Sequence, residues 1–192
     1  MSMKRPDTVF EIETFLKIVQ EFIEELNERR TRIRDFATKL TLEYSDDLYL
    51  TFKAEFVVIV VMLRALCLGC VDFKNGDKRK VRSASFDFED DEGYSLRNAL
   101  VLINGRQHWQ DMVEYLNKEI EGGITILAAM KGFANSFVCH YDPKKIPFEE
   151  SYERITKSNG FISPLESVIL MVKSVFDAAK YHYTHIDMKS NG

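Results

Sequence analysis

Residues 8–43, TVFEIETFLKIVQEFIEELNERRTRIRDFATKLTLE, carry the longest regular pattern in the chain. Ile12, Val19, Leu26, Ile33 and Leu40 recur at intervals of seven, and Phe15, Phe22 and Phe36 fill positions three residues further on. Leu16, Ile23 and Ala37 widen the stripe to about three-sevenths of a helix surface. That width suits a helix in a bundle better than the narrow seam of a two-stranded coiled coil. The pattern breaks at Arg29 and Arg30, where apolar residues are due. Asp7-Thr8 is a start signal, and neither Pro nor Gly occurs between Thr8 and Gly69. The spacing predicts one helix over about 8–43, with a kink expected at the arginines. At 1.5 Å per residue it is roughly 50 Å long, enough to protrude or to pack against a partner.

On its C-terminal side, Ser45 reads as an N-cap with Asp46 and Asp47 in the first turn, where the helix dipole favours acids. A second helix over about 46–71 completes an αα-hairpin turning at Glu43–Ser45. Its Val57–Val61 run is β-branched, but length and flanking pattern favour a fully buried helix over a strand. The apolar run from Phe56 to Val71 is bracketed by Glu55 and Asp72 and holds Arg64 near its middle. It is too short and too charged for a membrane span, which needs roughly 20 apolar residues.

Residues 73–93 form a polar insertion. Lys74, Lys78, Arg79, Lys80 and Arg82 surround the turn signal Asn75-Gly76, and a small β-hairpin is expected there. Ser95 then caps a third helix, kinked or divided at Asn104-Gly105; a short strand over 99–103 is the rival reading. A fourth helix is expected after Gly122-Gly123, burying Ile124, Leu127, Ala128, Ala134 and Val138. A short helix fits 148–157, ended by Gly160. The fifth main helix opens on the capping box Ser163-Pro164-Leu165-Glu166. Its stripe is Leu165, Val168, Ile169, Val172, Val175, Phe176 and Ala179. The pattern predicts an all-α, single-domain bundle of about five main helices over 1–192, with a flexible tail at 187–192.

Composition bounds the function. The 192 residues are 45% hydrophobic, with 14 Phe and 8 Tyr, so a sizeable core forms. Gly and Pro are too few for a collagen, a disordered chain or a loop-dominated scaffold. A net charge of −4 argues against a strongly cationic nucleic-acid binder. Three Cys fit a reducing, cytoplasmic setting better than a disulfide framework. The charged and polar residues ahead of Phe10 give no sign of a secretory leader.

Few motifs carry chemistry. Cys67 and Cys70 have metal-ligand spacing and Cys139-His140 would complete a zinc site, but both Cys67 and Cys70 sit among apolar neighbours and read as core. His182 and His185, three apart, share a helix face near its C-terminus, and read as surface or capping residues. The acidic run Asp87, Glu89, Asp90, Asp91, Glu92 resembles a calcium loop, yet its sixth position lacks the required Gly and a solvated acidic loop fits better. No cofactor and no metal is expected.

The remaining motif is Leu96-Arg97-Asn98-Ala99-Leu100 at the start of the third helix. Together with the long hairpin and the variable connection before it, this motif resembles the HEPN superfamily of helical bundles. The resemblance implies an Arg-Asn pair followed by a His four to six residues on, and metal-free RNA cleavage where Arg and His of two subunits meet. Positions 102–104 here are Leu, Ile and Asn, and the nearest histidine is His108. Without a group of tunable pKa at that place, general acid–base chemistry lacks its proton carrier.

Two functional expectations follow. The first is a non-catalytic helical interaction or regulatory module, self-associating as a homodimer through helices one to three, with a protein partner in a defence or stress-response setting. The alternative is a divergent metal-independent ribonuclease or RNA-binding protein using Arg97, Asn98, Arg106 and His108. Under the first, Arg97 is a first-turn surface residue paired with an acid of the 87–92 loop.

Overall fold

The computed structural model describes residues 4–67, 86–90, 93–120, 123–134, 147–150, 152 and 163–185. The protein is all-α. Helices α1 (Val9–Leu42), α2 (Asp46–Leu66), α3 (Leu96–Leu102), α4 (Arg106–Leu116), α5 (Ile126–Ala134) and α6 (Ser163–His185) carry the core. Among the described residues there is no strand, only an isolated antiparallel bridge between Glu119 and Thr125. The expected hairpin lies almost wholly outside the described residues, as do Cys70, Cys139, His140, Gly160 and the 187–192 tail.

Thr8 starts α1 with a capping box: its hydroxyl accepts from the Glu11 amide, while the Glu11 carboxylate accepts from the Thr8 and Asp7 amides. The Asp7 and Thr8 amides, with the Thr8 hydroxyl after them, hold the Glu11 carboxyl below its usual range. Phe15, Leu16, Val19, Ile23, Leu26, Ile33 and Ala37 are buried, and Ile12, Phe22, Phe36 and Leu40 pack at the margin. The helix runs unbroken through Arg29 and Arg30, because each arginine has a carboxylate waiting. Glu55 of α2 takes Arg29 Nη1 at 2.5 Å and Arg32 Nε at 3.0 Å. Glu166 of α6 takes Arg30 Nε at 3.1 Å and Arg34 Nη1 at 3.3 Å. The break in the apolar stripe is thus a polar belt tying α1 to both neighbours. Lys180 also reaches Gln20, so α6 runs antiparallel to α1.

α2 begins on the Ser45 cap, whose hydroxyl accepts from the Leu48 amide. Phe52, Phe56, Ile59, Val60, Leu63 and Leu66 are buried, but α2 is not a fully buried helix. Leu50 is 61% and Val58 37% exposed, Ala54 and Ala65 are exposed, and Val57 and Val61 are half-buried. Among the described residues, α1, α5 and the aromatic residues Phe148 and Tyr152 cover only part of its circumference. Among the described residues, no helix is long and apolar enough to cross a membrane.

Asn104 adopts a left-handed φ of 54° and divides α3 from α4, so residues 99–103 are helix and turn rather than strand. Gly105 follows because a Cβ there would lie 3.0 Å from Leu100 Cδ2 and 3.2 Å from Ala179 Cβ. This close approach seats α4 on α6, with Trp109, Met112 and Leu116 of α4 buried. α5 starts later than the glycine pair suggests. Buried Thr125 accepts from the Ala128 amide, so Ile124 falls in the bridge region and is exposed, and Ala128 is half-buried. Every expected core residue of α6, from Leu165 to Ala179, is buried. Phe148 and Tyr152 join Phe52, Phe56 and Phe133 in an aromatic cluster, beside which the Tyr49 hydroxyl donates to Glu149 at 2.5 Å.

Candidate functional site

Ahead of α3, residues 86–90 and 93–95 form a loop that packs on the core at Phe86 and Phe88 and includes the α3 cap, Ser95. Three of the four residues singled out by the sequence converge on it. Arg97 is wholly buried, which corrects the expectation of a surface residue; its Nη2 lies 2.7 Å from a Glu89 carboxylate oxygen. The acid of the loop does pair with it, but at depth. Burying a guanidinium costs several kcal/mol unless a counter-charge accompanies it, so the pair holds the loop as much as the loop holds the pair.

Asn98 is also fully buried, and its amide is satisfied from both ends. Its Oδ1 accepts from the Glu89 amide at 3.0 Å, and its Nδ2 donates to the carbonyls of Glu89 (2.8 Å) and Gly93 (3.1 Å). Gly93 sits at φ +59°, a conformation that costs a glycine little. The Asn98 backbone amide is taken by the Ser95 hydroxyl at 3.1 Å. Ser95, Arg97 and Asn98 thus form one polar anchor under the loop.

Arg106, exposed at the start of α4, stacks on the Phe86 ring with its guanidinium carbon 4.7 Å from the centroid. Phe88 and Tyr94 clasp Phe15 of α1, with centroids 6.0 and 4.9 Å away. Beside them lies an open cleft of about 350 Å³ whose walls carry Arg5, Arg106, Asp87 and Asp90. Two cations and two anions line it, so the charged side chains of the cleft sum to zero.

His108 belongs to a different surface. Its half-buried ring stacks on His182 of α6 at 5.9 Å between centroids and 29° between planes. His185, although three residues from His182, stacks instead on Tyr181 at 4.3 Å. Among the described residues no group of His, Cys, Asp or Glu could hold a metal ion. Cys67 lies in the core, and burial pushes its thiol up to about 12.

Chemically, then, Arg97 and Asn98 are engaged in positioning the loop, and His108 faces α6. α3 itself is buried over Leu96–Leu100 and leaves a partner subunit almost nothing to touch. Sequence reasoning missed the outward face of α2, whose signal was an apolar run continuing round all sides of the helix. No protein-family model, curated protein or solved structure matches the chain.

Proposed function

We propose that this protein is a non-catalytic helical interaction module that works through the outward face of α2. The observation that supports it is the stripe Leu50, Ala54, Val57, Val58, Val61 and Ala65: apolar, uncharged and facing outward. A monomeric surface seldom leaves a contiguous apolar strip without a use for it. The Arg97-Asn98 pair, the one motif with a catalytic parallel, is engaged in holding the 86–95 loop. A homodimer is the first assembly to expect, because every copy carries the same face. A cytoplasmic, reducing setting suits a chain that keeps a free thiol in its core at Cys67.

Two measurements test the proposal. Purified protein is expected to leave single-stranded and structured RNA intact, with or without divalent metal. Cleavage that disappears in Arg106→Ala or His108→Ala, with the melting temperature unchanged, would favour the ribonuclease alternative. In light scattering at tens of micromolar, wild type is expected above monomer mass and Val58→Lys at monomer mass, with equal melting temperatures. An unchanged mass in the variant overturns the assignment of the face.

A further inference from the structure

The cleft beside the 86–90 loop combines three kinds of wall. Its charges are two arginines, Arg5 and Arg106, and two aspartates, Asp87 and Asp90. Among the described residues neither Arg106 nor Asp90 enters a salt bridge, so a cation and an anion of one cavity stay open to a ligand. A ligand with a single charge meets groups of both signs here, whereas one carrying both signs can pair each with its opposite. The apolar part of the lining is Phe86, Phe88 and Val101, each half-buried.

The cationic end is the better prepared. The Arg106 guanidinium carbon lies 4.7 Å from the Phe86 ring centroid, a contact that restrains the side chain. An arginine held over a ring still has outer N–H groups, which a carboxylate takes in bidentate fashion. Asn104 and Arg106, both on the wall, flank the α4 N-cap, Gly105, which brings no side-chain acceptor to the first-turn amides. The helix dipole and the Arg106 charge therefore favour an anion at the same end.

We propose that this cleft binds a free α-amino acid with an apolar side chain. Arg106 and the start of α4 take the carboxylate, Asp90 takes the ammonium, and the side chain lies against Phe86, Phe88 and Val101. Arg5 and Asp87 add one further charge of each sign, so the lining matches the zwitterion in kind and in balance. The volume of about 350 Å³ lies near the small end of ligand sites, a size for a metabolite. Because the cleft is open to water, its charged contacts are screened, and the affinity is expected near 1 mM, on the order of weak metabolite binding. The bound amino acid bridges the loop at Asp90 to α4 at Arg106. No residue of α2 lines the cleft, so this site and the α2 face stand or fall separately.

An amide-resolved NMR titration of the full chain tests the site, with L-phenylalanine as the probe. Two analogues each lack one charge: 3-phenylpropionate has no ammonium and phenethylamine has no carboxylate. L-Phenylalanine is expected to shift the amides of residues 86–90 and 104–107, and both analogues to bind about tenfold more weakly, the scale of one charged hydrogen bond. Either analogue binding as well as L-phenylalanine overturns the zwitterion site, since one charge or the ring alone would then suffice. Shifts confined to other residues, or none up to about 10 mM, overturn the cleft as the site. These comparisons use wild type and so do not depend on how any variant folds. Arg106 and Asp90 are both exposed, so their substitution is expected to leave the other amide signals in place. Arg106→Gln is expected to weaken L-phenylalanine about tenfold and leave phenethylamine unchanged, with Arg106→Lys between it and wild type. Asp90→Asn is expected to weaken L-phenylalanine and leave 3-phenylpropionate unchanged. Wild-type affinity for L-phenylalanine in both Arg106→Gln and Asp90→Asn overturns the assigned contacts.

Discussion

Removing the Arg97 guanidinium leaves the Glu89 carboxylate, 27% exposed, beside a hole in the core under its own loop. The cost of breaking such a pair from one side exceeds what the pair contributes when intact, because the remaining charge stays partly desolvated. Arg97→Ala is expected to lose about 3 kcal/mol of stability, or roughly 6–12 °C in melting temperature. Arg97→Met, which fills the space without the charge, is expected to lose less, since Glu89 can turn toward water. Thermal melts of the three proteins check the order. A loss below about 0.5 kcal/mol, the scale of an ordinary surface change, would contradict the burial of Arg97. The same logic applies next door. Asn98→Ala strands the Glu89 amide and two carbonyls, and is expected to raise hydrogen exchange at the Glu89 amide well before the helices open.

At the scale of the element, the N-terminus of α1 shows how a cap turns into a pH dependence. The Glu11 carboxyl is held below its usual value near 4.5, first by the Asp7 and Thr8 amides and then by the Thr8 hydroxyl. A carboxyl lowered in the folded state stabilises the fold above its unfolded pKa. That contribution fades as pH falls through the lowered folded value. The difference in melting temperature between wild type and Glu11→Gln is therefore expected to be present at pH 7 and to vanish toward pH 3. A difference that persists unchanged in acid would place the capping contribution elsewhere. The effect is confined to the first turn, since the belt at Arg29–Arg34 holds the middle of the same helix.

For the molecule as a whole, Cys67 reports global opening. Its thiol is wholly buried and pushed up to about 12, so it is neutral at ordinary pH and out of reach of reagent. In a Cys70→Ser, Cys139→Ser chain, alkylation at pH 8 is expected to proceed only at the rate set by unfolding, and to accelerate with denaturant in step with loss of helix signal. Rapid native-state labelling would show that the end of α2 opens independently. Much of this architecture is legible in the sequence, because seven-residue spacing in α1 and the stripe of α6 are local properties. What depends on distant partners is not. Arg29 and Arg30 stand out as a break, but the carboxylates that answer them lie 26 and 136 residues away. Arg97 looks like a surface residue by its charge, and only the returning loop places it inside. The valines of α2 carry no mark of which will face out, since that depends on how much of the helix α1 and α5 cover.

The belt also fixes where α6 begins against α1. Glu166, in the first turn of α6, meets α1 at Arg30 and Arg34, and from there α6 runs back toward Gln20. The last turns of α1 therefore extend past the start of α6, and the turn at Glu43–Ser45 stands at the end of that overhang with Leu42 and Tyr44 exposed. Foreign sequence is tolerated best where exposed backbone joins elements that already meet without it. That turn is accordingly the place to graft an epitope, a fluorophore or a second protein onto this scaffold, at a distance from both the loop anchor and the core.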